Sequence, residues 1–167
     1  NYGKQLCKRG YMEFTTVIAT YNRPNIIKTV ESLLKQTHPT EVIVIDDGSR
    51  YPVKIRSKKV RIIRHKMPLG LSVCRNDGIK ASHGEVISFI DDDAIADRHW
   101  IENLEEKFSD GYDIVGGRIE PIFSSKIPFW FNSSLEYVIA INKESDLIFG
   151  CNFAVKKKVF DKIGLFT

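Results

Sequence analysis

Three features of the sequence predict an α/β fold with a mainly parallel, doubly wound sheet. Short apolar runs alternate with segments of helical period, no repeat or linker interrupts the alternation, and polar clusters directly follow three of the runs. Strands separated by helices form βαβ units, which set consecutive strands parallel with helices over both faces. A chain of 167 residues is long enough for one domain with a substantial core.

Residues 14–19, rich in Thr, Val and Ile, read as the first strand. A helix over 25–36 follows, with Ile26, Ile27, Val30, Leu33 and Leu34 on one stripe and Pro24 suited to its first turn. A break at 37–40 leads into a buried strand over 41–45, then a strand over 60–64, a helix over 71–82 and a fourth strand over 86–90. Asp97 is placed to cap a helix in which Trp100, Ile101, Leu104 and Phe108 share a face, and 114–117 reads as another strand. From 121 to 134 the pattern is irregular, with Pro128, Phe129, Trp130 and Phe131 together. That stretch fits a loop packed on the core and a substrate-covering loop equally well.

Composition narrows the class. With 43% hydrophobic and 28% charged residues the chain has the balance of a soluble globular protein, and no apolar run is long enough to cross a bilayer. Residues 1–12 are polar and basic, without the apolar core of a signal peptide, and read as an N-terminal extension. Any membrane association is therefore expected to be peripheral. The net charge is +4, and the basic clusters at 54–66 and 156–158 read as solvated surface in preference to docking sites for anionic lipid or a phosphorylated substrate. No nucleic-acid partner is expected. Cys7, Cys74 and Cys151 are odd in number and widely spaced, with no CxxC pair, which suits buried or incidental thiols in a reducing compartment better than a disulfide framework or a zinc site. His38, His65, His83 and His99 show no metal-ligand spacing and no paired partner, and read as surface or structural.

In a doubly wound sheet, ligands bind at the carboxyl ends of the strands near the reversal of strand order. Three clusters fall there: Thr20-Tyr21-Asn22-Arg23-Pro24, Asp46-Asp47-Gly48-Ser49 and Asp91-Asp92-Asp93. Three adjacent carboxylates repel one another, and a hard divalent cation such as Mg²⁺ or Mn²⁺ relieves the repulsion through carboxylate oxygens. Asp47 can accept an N–H of a nucleobase or a ribose hydroxyl, Tyr21 offers a ring for stacking, and the helix start after Pro24 attracts phosphate. Each cluster alone also fits a solvated turn or a helix cap. Two acidic loops converging on one sheet edge shift the balance towards a ligand site.

Val17-Ile18-Ala19-Thr20-Tyr21-Asn22-Arg23, then Gln36-Thr37, then 42–49 (VIVIDDGS) come in a characteristic order. Gly70, Arg75-Asn76, Gly78, Ala81, Gly84-Glu85 and Ile90-Asp91-Asp92-Asp93 follow, and after them Gly150-Cys151-Asn152-Phe153-Ala154, Phe160, Ile163-Gly164 and Phe166. Taken in that order, the segments resemble the family 2 glycosyltransferases. The resemblance implies a GT-A fold over residues 13–167, forming the donor-binding part. It implies transfer of a sugar from a nucleotide-diphosphate sugar, UDP favoured and GDP and dTDP open, to a hydroxyl of a glycan or lipid-linked acceptor, with inversion. It places Thr20, Tyr21 and Asp47 towards base and ribose, with Asn22 as a further short hydrogen-bonding group for the nucleotide, and lines the nucleotide cleft with Arg23, Gly70 and Arg75. Asp92 then faces the ribose, while Asp93, with Asp91, takes Mn²⁺ or Mg²⁺. A cytoplasmic protein at the inner face of the membrane fits such an acceptor.

Relatives continue past a segment like Ile163-Gly164-Leu165-Phe166 into an acidic pair that contains the catalytic base. The base is accordingly expected beyond Thr167, in sequence of which this chain is a truncated part. Glu144, Asp146 and Asp161 read as surface or capping residues. Two rivals remain: a nucleotide-sugar-binding module without transfer activity, and a phosphoacceptor receiver domain. The second is disfavoured because its acidic pair follows the first strand, where this chain has TYNRP.

Overall fold

The computed structural model describes residues 12–123, 126 and 148–167. In chain order it forms β1 (Phe14–Thr20), α1 (Ile26–Leu34), β2 (Thr40–Asp46), β3 (Val60–Arg64), α2 (Leu71–Ala81), β4 (Val86–Ile90), α3 (Trp100–Ser109), β5 (Ile114–Gly116), β6 (Asn152–Lys156) and α4 (Lys157–Ile163). One six-stranded sheet runs β3-β2-β1-β4-β6-β5. Its first four strands are mutually parallel, while β6 is antiparallel to both β4 and β5. The mainly parallel sheet expected from the alternation is therefore present, with an antiparallel edge. The strand expected at 114–117 belongs to that edge and does not extend the parallel set.

The strands read as continuous apolar runs because both faces of the sheet are covered. On one face Ile18, Val42 and Val44 pack with Ile26, Val30 and Leu33 of α1 and Ile101, Leu104 and Phe108 of α3. On the other, Val17, Ile43, Ile45 and Phe89 pack with Cys74 and Ile79 of α2 and Phe160 of α4. Adjacent residues such as Val17 and Ile18 serve opposite layers, as strand alternation requires. Among the described residues no buried side-chain nitrogen or oxygen lacks a hydrogen-bond partner. Among the described residues no helix is long and apolar enough to cross a membrane.

Three local expectations are corrected. Ile27 is 50% exposed and outside the buried stripe of α1, because a helix rotates it about 100° away from Ile26. Pro24 stands one residue before the N-cap, Asn25, and not in the first turn. Asp97 does not cap α3, whose N-cap is His99. Its carboxylate instead accepts the His99 N–H at 2.8 Å. Gln36 serves the start of α3, its Oε1 accepting the Ile101 N–H at 3.0 Å while its Nε2 donates to the Asp97 carbonyl at 2.5 Å. A side chain just past α1 thus satisfies one of the orphan N–H groups at a helix start.

The 156–158 cluster is also more than solvated surface: Lys156 and Lys158 pair with Asp113 at 3.1 and 3.4 Å, and Lys157 Nζ donates to the Ser82 carbonyl. Cys74 and Cys151 carry free thiols. Cys7, Glu144, Asp146 and the aromatic run 129–131 lie outside the described residues.

α2 lies unusually close to the sheet at Gly78. A Cβ on this residue would stand 2.3 Å from a methyl of Val17, a residue that is itself 1% exposed. Gly78→Ala is therefore expected to overpack this layer and destabilise the fold by roughly 1–3 kcal/mol. Urea unfolding measures it, and an unchanged midpoint would mean that α2 can lift off β1 without loss.

Candidate functional site

The chain leaves β1 towards β2 and β3 on one side of the sheet and reaches β4 on the other, so strand order reverses between β1 and β4. A cleft opens there, lined by Val17, Ala19, Leu71, Arg75, Phe89, Ile90, Asp91 and Gly150. It occupies the position where open α/β sheets bind their ligands. The three polar clusters meet at this edge because β1, β2 and β4 are parallel, with Thr20 in register with Asp46.

Direct bonds tie the clusters together. Thr20 is buried, and its hydroxyl donates to Asp92 Oδ2 at 2.6 Å. Asn22 adopts φ 54°, a left-handed conformation that asparagine tolerates better than most residues. Its backbone N–H donates to Ser49 Oγ at 2.9 Å and its Oδ1 accepts the Arg50 N–H at 2.7 Å, which joins the first loop to the second. Tyr21 beside it is 52% exposed. Arg23 reaches the third cluster, with Nε 3.3 Å from Asp92 Oδ1 and a terminal nitrogen 3.0 Å from Asp93 Oδ2.

The two aspartates of the second cluster have different work. Asp46 is fully buried and accepts the Ser49 and Val53 N–H groups at 2.9 and 3.0 Å, besides an Arg64 guanidinium N–H. Burial alone would raise its pKa, but these donors outweigh burial and hold it below the ordinary carboxylate value. Gly48 has φ +73°, and a Cβ on it would meet the Met67 backbone at 2.7 Å, so the turn after Asp47 requires glycine.

Asp47 accepts His65 Nδ1–H at 2.7 Å, Leu69 N–H at 2.9 Å and Gly70 N–H at 2.9 Å. Burial works against the charge of Asp47 too, and the bonds from His65, Leu69, Gly70 and the Cys74 thiol again lower its pKa. The residue expected to receive a base or ribose donor therefore also closes the loop over 65–70 at the edge of the cleft.

His65 was not anticipated as a site residue. It has two carboxylate partners, Asp47 and, through Nε2 at 3.1 Å, Asp77, and its side chain is 8% exposed. Its separations from them in sequence, 18 and 12 residues, match no local motif, so only the fold brings them together. The other three histidines also have carboxylate partners: His38 with Glu105, His83 with Glu41 and His99 with Glu102.

In the third cluster burial pushes the Asp91 carboxyl up from its ordinary value; Arg75 opposes this, Asp93 and Asp92 add to it, and Arg23 opposes them. Asp91 is thus a half-buried carboxylate short of positive charge. Asp93, with its side chain 56% exposed, faces outward against Arg23. Arg75 lies 5.8, 5.3 and 5.4 Å from the ring centres of Phe89, Phe153 and Phe166 and donates to the Gly150 carbonyl at 2.9 Å. Asn76 exchanges two bonds with the Phe166 backbone at 2.8 and 3.0 Å. The RN pair of α2 thereby docks the last described segment against the cleft.

Asp47, His65 and Cys74 bring three potential metal-ligand atoms within 4.8 Å of one another. Two backbone N–H groups aim at this carboxylate, both imidazole nitrogens are spent on carboxylates, and burial pushes the Cys74 thiol up to about 12. Those features suit a proton-bonded cluster. The hard oxygen donors of Asp91 and Asp93, under-compensated and next to the cleft, fit a Mg²⁺-type cation better.

The sequence model of glycosyl transferase family 2 matches residues 15–164, a span that takes in all three clusters. The chain belongs to this family. A glucosyl-dolichyl phosphate glucuronosyltransferase of Haloferax volcanii is 27% identical over 92% of the chain and 55% of its own length. An Escherichia coli UDP-Glc:α-D-GlcNAc-diphosphoundecaprenol β-1,3-glucosyltransferase is 26% identical over 89% and 61%. The crystal structure of Staphylococcus aureus TarS 1–349 aligns with a TM-score of 0.68 at 21% identity, over 93% of this chain and 50% of that one. The same TarS segment is also solved in complex with UDP-GlcNAc, with the same TM-score. The family 2 chain described here thus has the GT-A type of α/β fold, and it spans between about half and three fifths of the length of these relatives.

Proposed function

We propose that residues 13–167 form the donor-binding part of an inverting glycosyltransferase that takes a nucleotide-diphosphate sugar, most simply a UDP-sugar, and transfers the sugar to a hydroxyl of a glycan or lipid-linked acceptor. One observation carries this reading: three strand-end clusters are bonded to one another at the switch point, beside the cleft that Arg75 and Asp91 line. The relatives' names, one of which gives UDP-Glc and another glucosyl-dolichyl phosphate, and the UDP-GlcNAc held by TarS support the choice of substrate class.

Tyr21 and Asn22, with the 65–70 loop held by Asp47, border the base and ribose, and Asp92 meets the ribose from the other side. Arg23, Gly70 and Arg75 line the diphosphate path. Asp93, with Asp91, would hold Mn²⁺ or Mg²⁺, which when bound neutralises charge on the departing nucleotide diphosphate. The carboxylate that takes the acceptor proton belongs, by the resemblance, to sequence beyond Thr167. A lipid-linked acceptor would bring the protein to the inner face of the cytoplasmic membrane as a peripheral component.

A thermal-shift panel of UDP, GDP and dTDP, each with and without Mn²⁺, tests the reading. UDP with Mn²⁺ is expected to raise the melting temperature most, because a ligand that binds only the folded state stabilises it by mass action. No shift with any nucleotide at millimolar concentration would refute it. Binding without sugar transfer by the full-length protein would leave a nucleotide-sugar-binding module.

A further inference from the structure

His65 belongs to neither the proposed diphosphate path nor the proposed metal site, yet its side chain is buried and bonded at the edge of the cleft. Both ring nitrogens face carboxylates, at 2.7 Å to Asp47 and 3.1 Å to Asp77, and only 8% of the side chain is exposed. An ionised carboxylate only accepts, so both nitrogens must donate and the ring is an imidazolium. Asp47 sits at the end of β2 and Asp77 on α2, so the ring links a strand end to the helix packed on it. The same Asp47 carboxylate receives the Leu69 and Gly70 N–H groups, and Gly70 stands at φ 96° just before α2. The groups facing the ring are Asp47 from the turn directly after β2 and, from α2, Asp77 and the Cys74 thiol, which is neutral over the working range. Lys80 reaches Asp77 at 3.4 Å.

We infer that His65 is the positioning residue for the base end of the nucleotide site: as an imidazolium strapped between Asp47 and Asp77, it fixes the Asp47 carboxylate and, through it, the 65–70 loop against which the base is read. The inference rests on the nucleotide-binding function proposed above. The bond to Asp47 raises the His65 pKa above its ordinary 6.5, burial works against this, and the bond to Asp77 adds to it. The strap is therefore intact below that raised value and is lost as pH rises through it. On deprotonation one ring nitrogen becomes an acceptor facing a carboxylate, and the bond on that side is replaced by repulsion.

The experiment is calorimetric titration of the 167-residue chain with UDP in Mg²⁺ from pH 7 to 9, above the titration of the UDP phosphate. Parent, His65→Gln and Asp77→Asn are compared after thermal unfolding has established that each is folded. Asp77 is one-third exposed, so Asp77→Asn removes one strap partner with little burden on the core. The parent is expected to lose about fivefold in UDP affinity as pH rises through the raised His65 value, on the scale of one charge-assisted bond felt indirectly. His65→Gln should bind about fivefold more weakly than the parent does at the low-pH end and show no further loss as pH rises, on the same scale. Asp77→Asn should move the parental fall to lower pH. Parental affinity in His65→Gln, or an unchanged pH dependence in both variants, would overturn the inference while leaving nucleotide binding in place. A parent that binds no UDP at any pH would instead remove the functional reading on which the inference rests.

Discussion

Asp93→Asn is expected to abolish most of the gain in UDP affinity that Mn²⁺ provides while leaving the melting temperature of the unliganded chain nearly unchanged. Three adjacent carboxylates stand at the end of β4, and the direct positive partner of Asp92 and Asp93 among the described residues is one guanidinium, Arg23. That arrangement leaves the free chain short of positive charge, and a bound diphosphate would deepen the deficit. A cation on Asp93 would supply the missing charge and release Arg23 towards the phosphates. Losing one charged ligand corresponds to about 1.5–3 kcal/mol, or about ten- to hundredfold in affinity. Titrating each protein with UDP at fixed Mn²⁺ and again in chelator separates the two contributions. The parent should lose affinity in chelator and Asp93→Asn should not. Equal affinities of parent and variant in Mn²⁺ would sink the assignment. The free-chain stability should barely move, because the Arg23–Asp93 pair is half-exposed and such pairs contribute little.

Asp46→Ala should have the largest effect on stability, a loss of about 3 kcal/mol. Asp46 is 0% exposed, and its removal strands the Ser49 and Val53 N–H groups and leaves Arg64 without its carboxylate. Buried donors without acceptors bear their full desolvation cost, which is why the loss exceeds that of a surface pair. Urea unfolding should show a lower midpoint with little change in slope. The parent should also show a pH signature. Since the folded pKa of Asp46 is depressed, its stabilisation is fully present above the unfolded value near 3.8 and is lost as pH falls from there through the folded value. Asp46→Ala should lose that part of the acid dependence. A variant as stable as the parent would mean that the 47–53 turn is held by other bonds.

Much of the fold was legible in the sequence, for reasons that are local. The parallel strands are unbroken apolar runs because they are buried on both faces, and Trp100, Ile101, Leu104 and Phe108 share a face because their spacing alone sets them on one side of a helix. The strand-end clusters could be located for the same reason: when strands are parallel, whatever follows each run must gather at one edge. What stayed hidden depends on partners distant in the chain. Strand β6 is five residues long and runs into lysines, so its antiparallel place between β4 and β5 carries no periodic signal. Spacing could not assign Asp46 to Arg64, Gln36 to the start of α3, Asn76 to Phe166, or His65 to both Asp47 and Asp77. A side-chain hydrogen bond is decided by two or three ångströms of tertiary geometry, which separations of 18, 65 or 90 residues do not constrain. The chain's own residue order thus determined the family, the sheet type and the edge where the strand-end clusters gather. Tertiary structure alone decided which aspartate is buried to hold a turn, which closes the loop beside the cleft and which is left short of a positive charge.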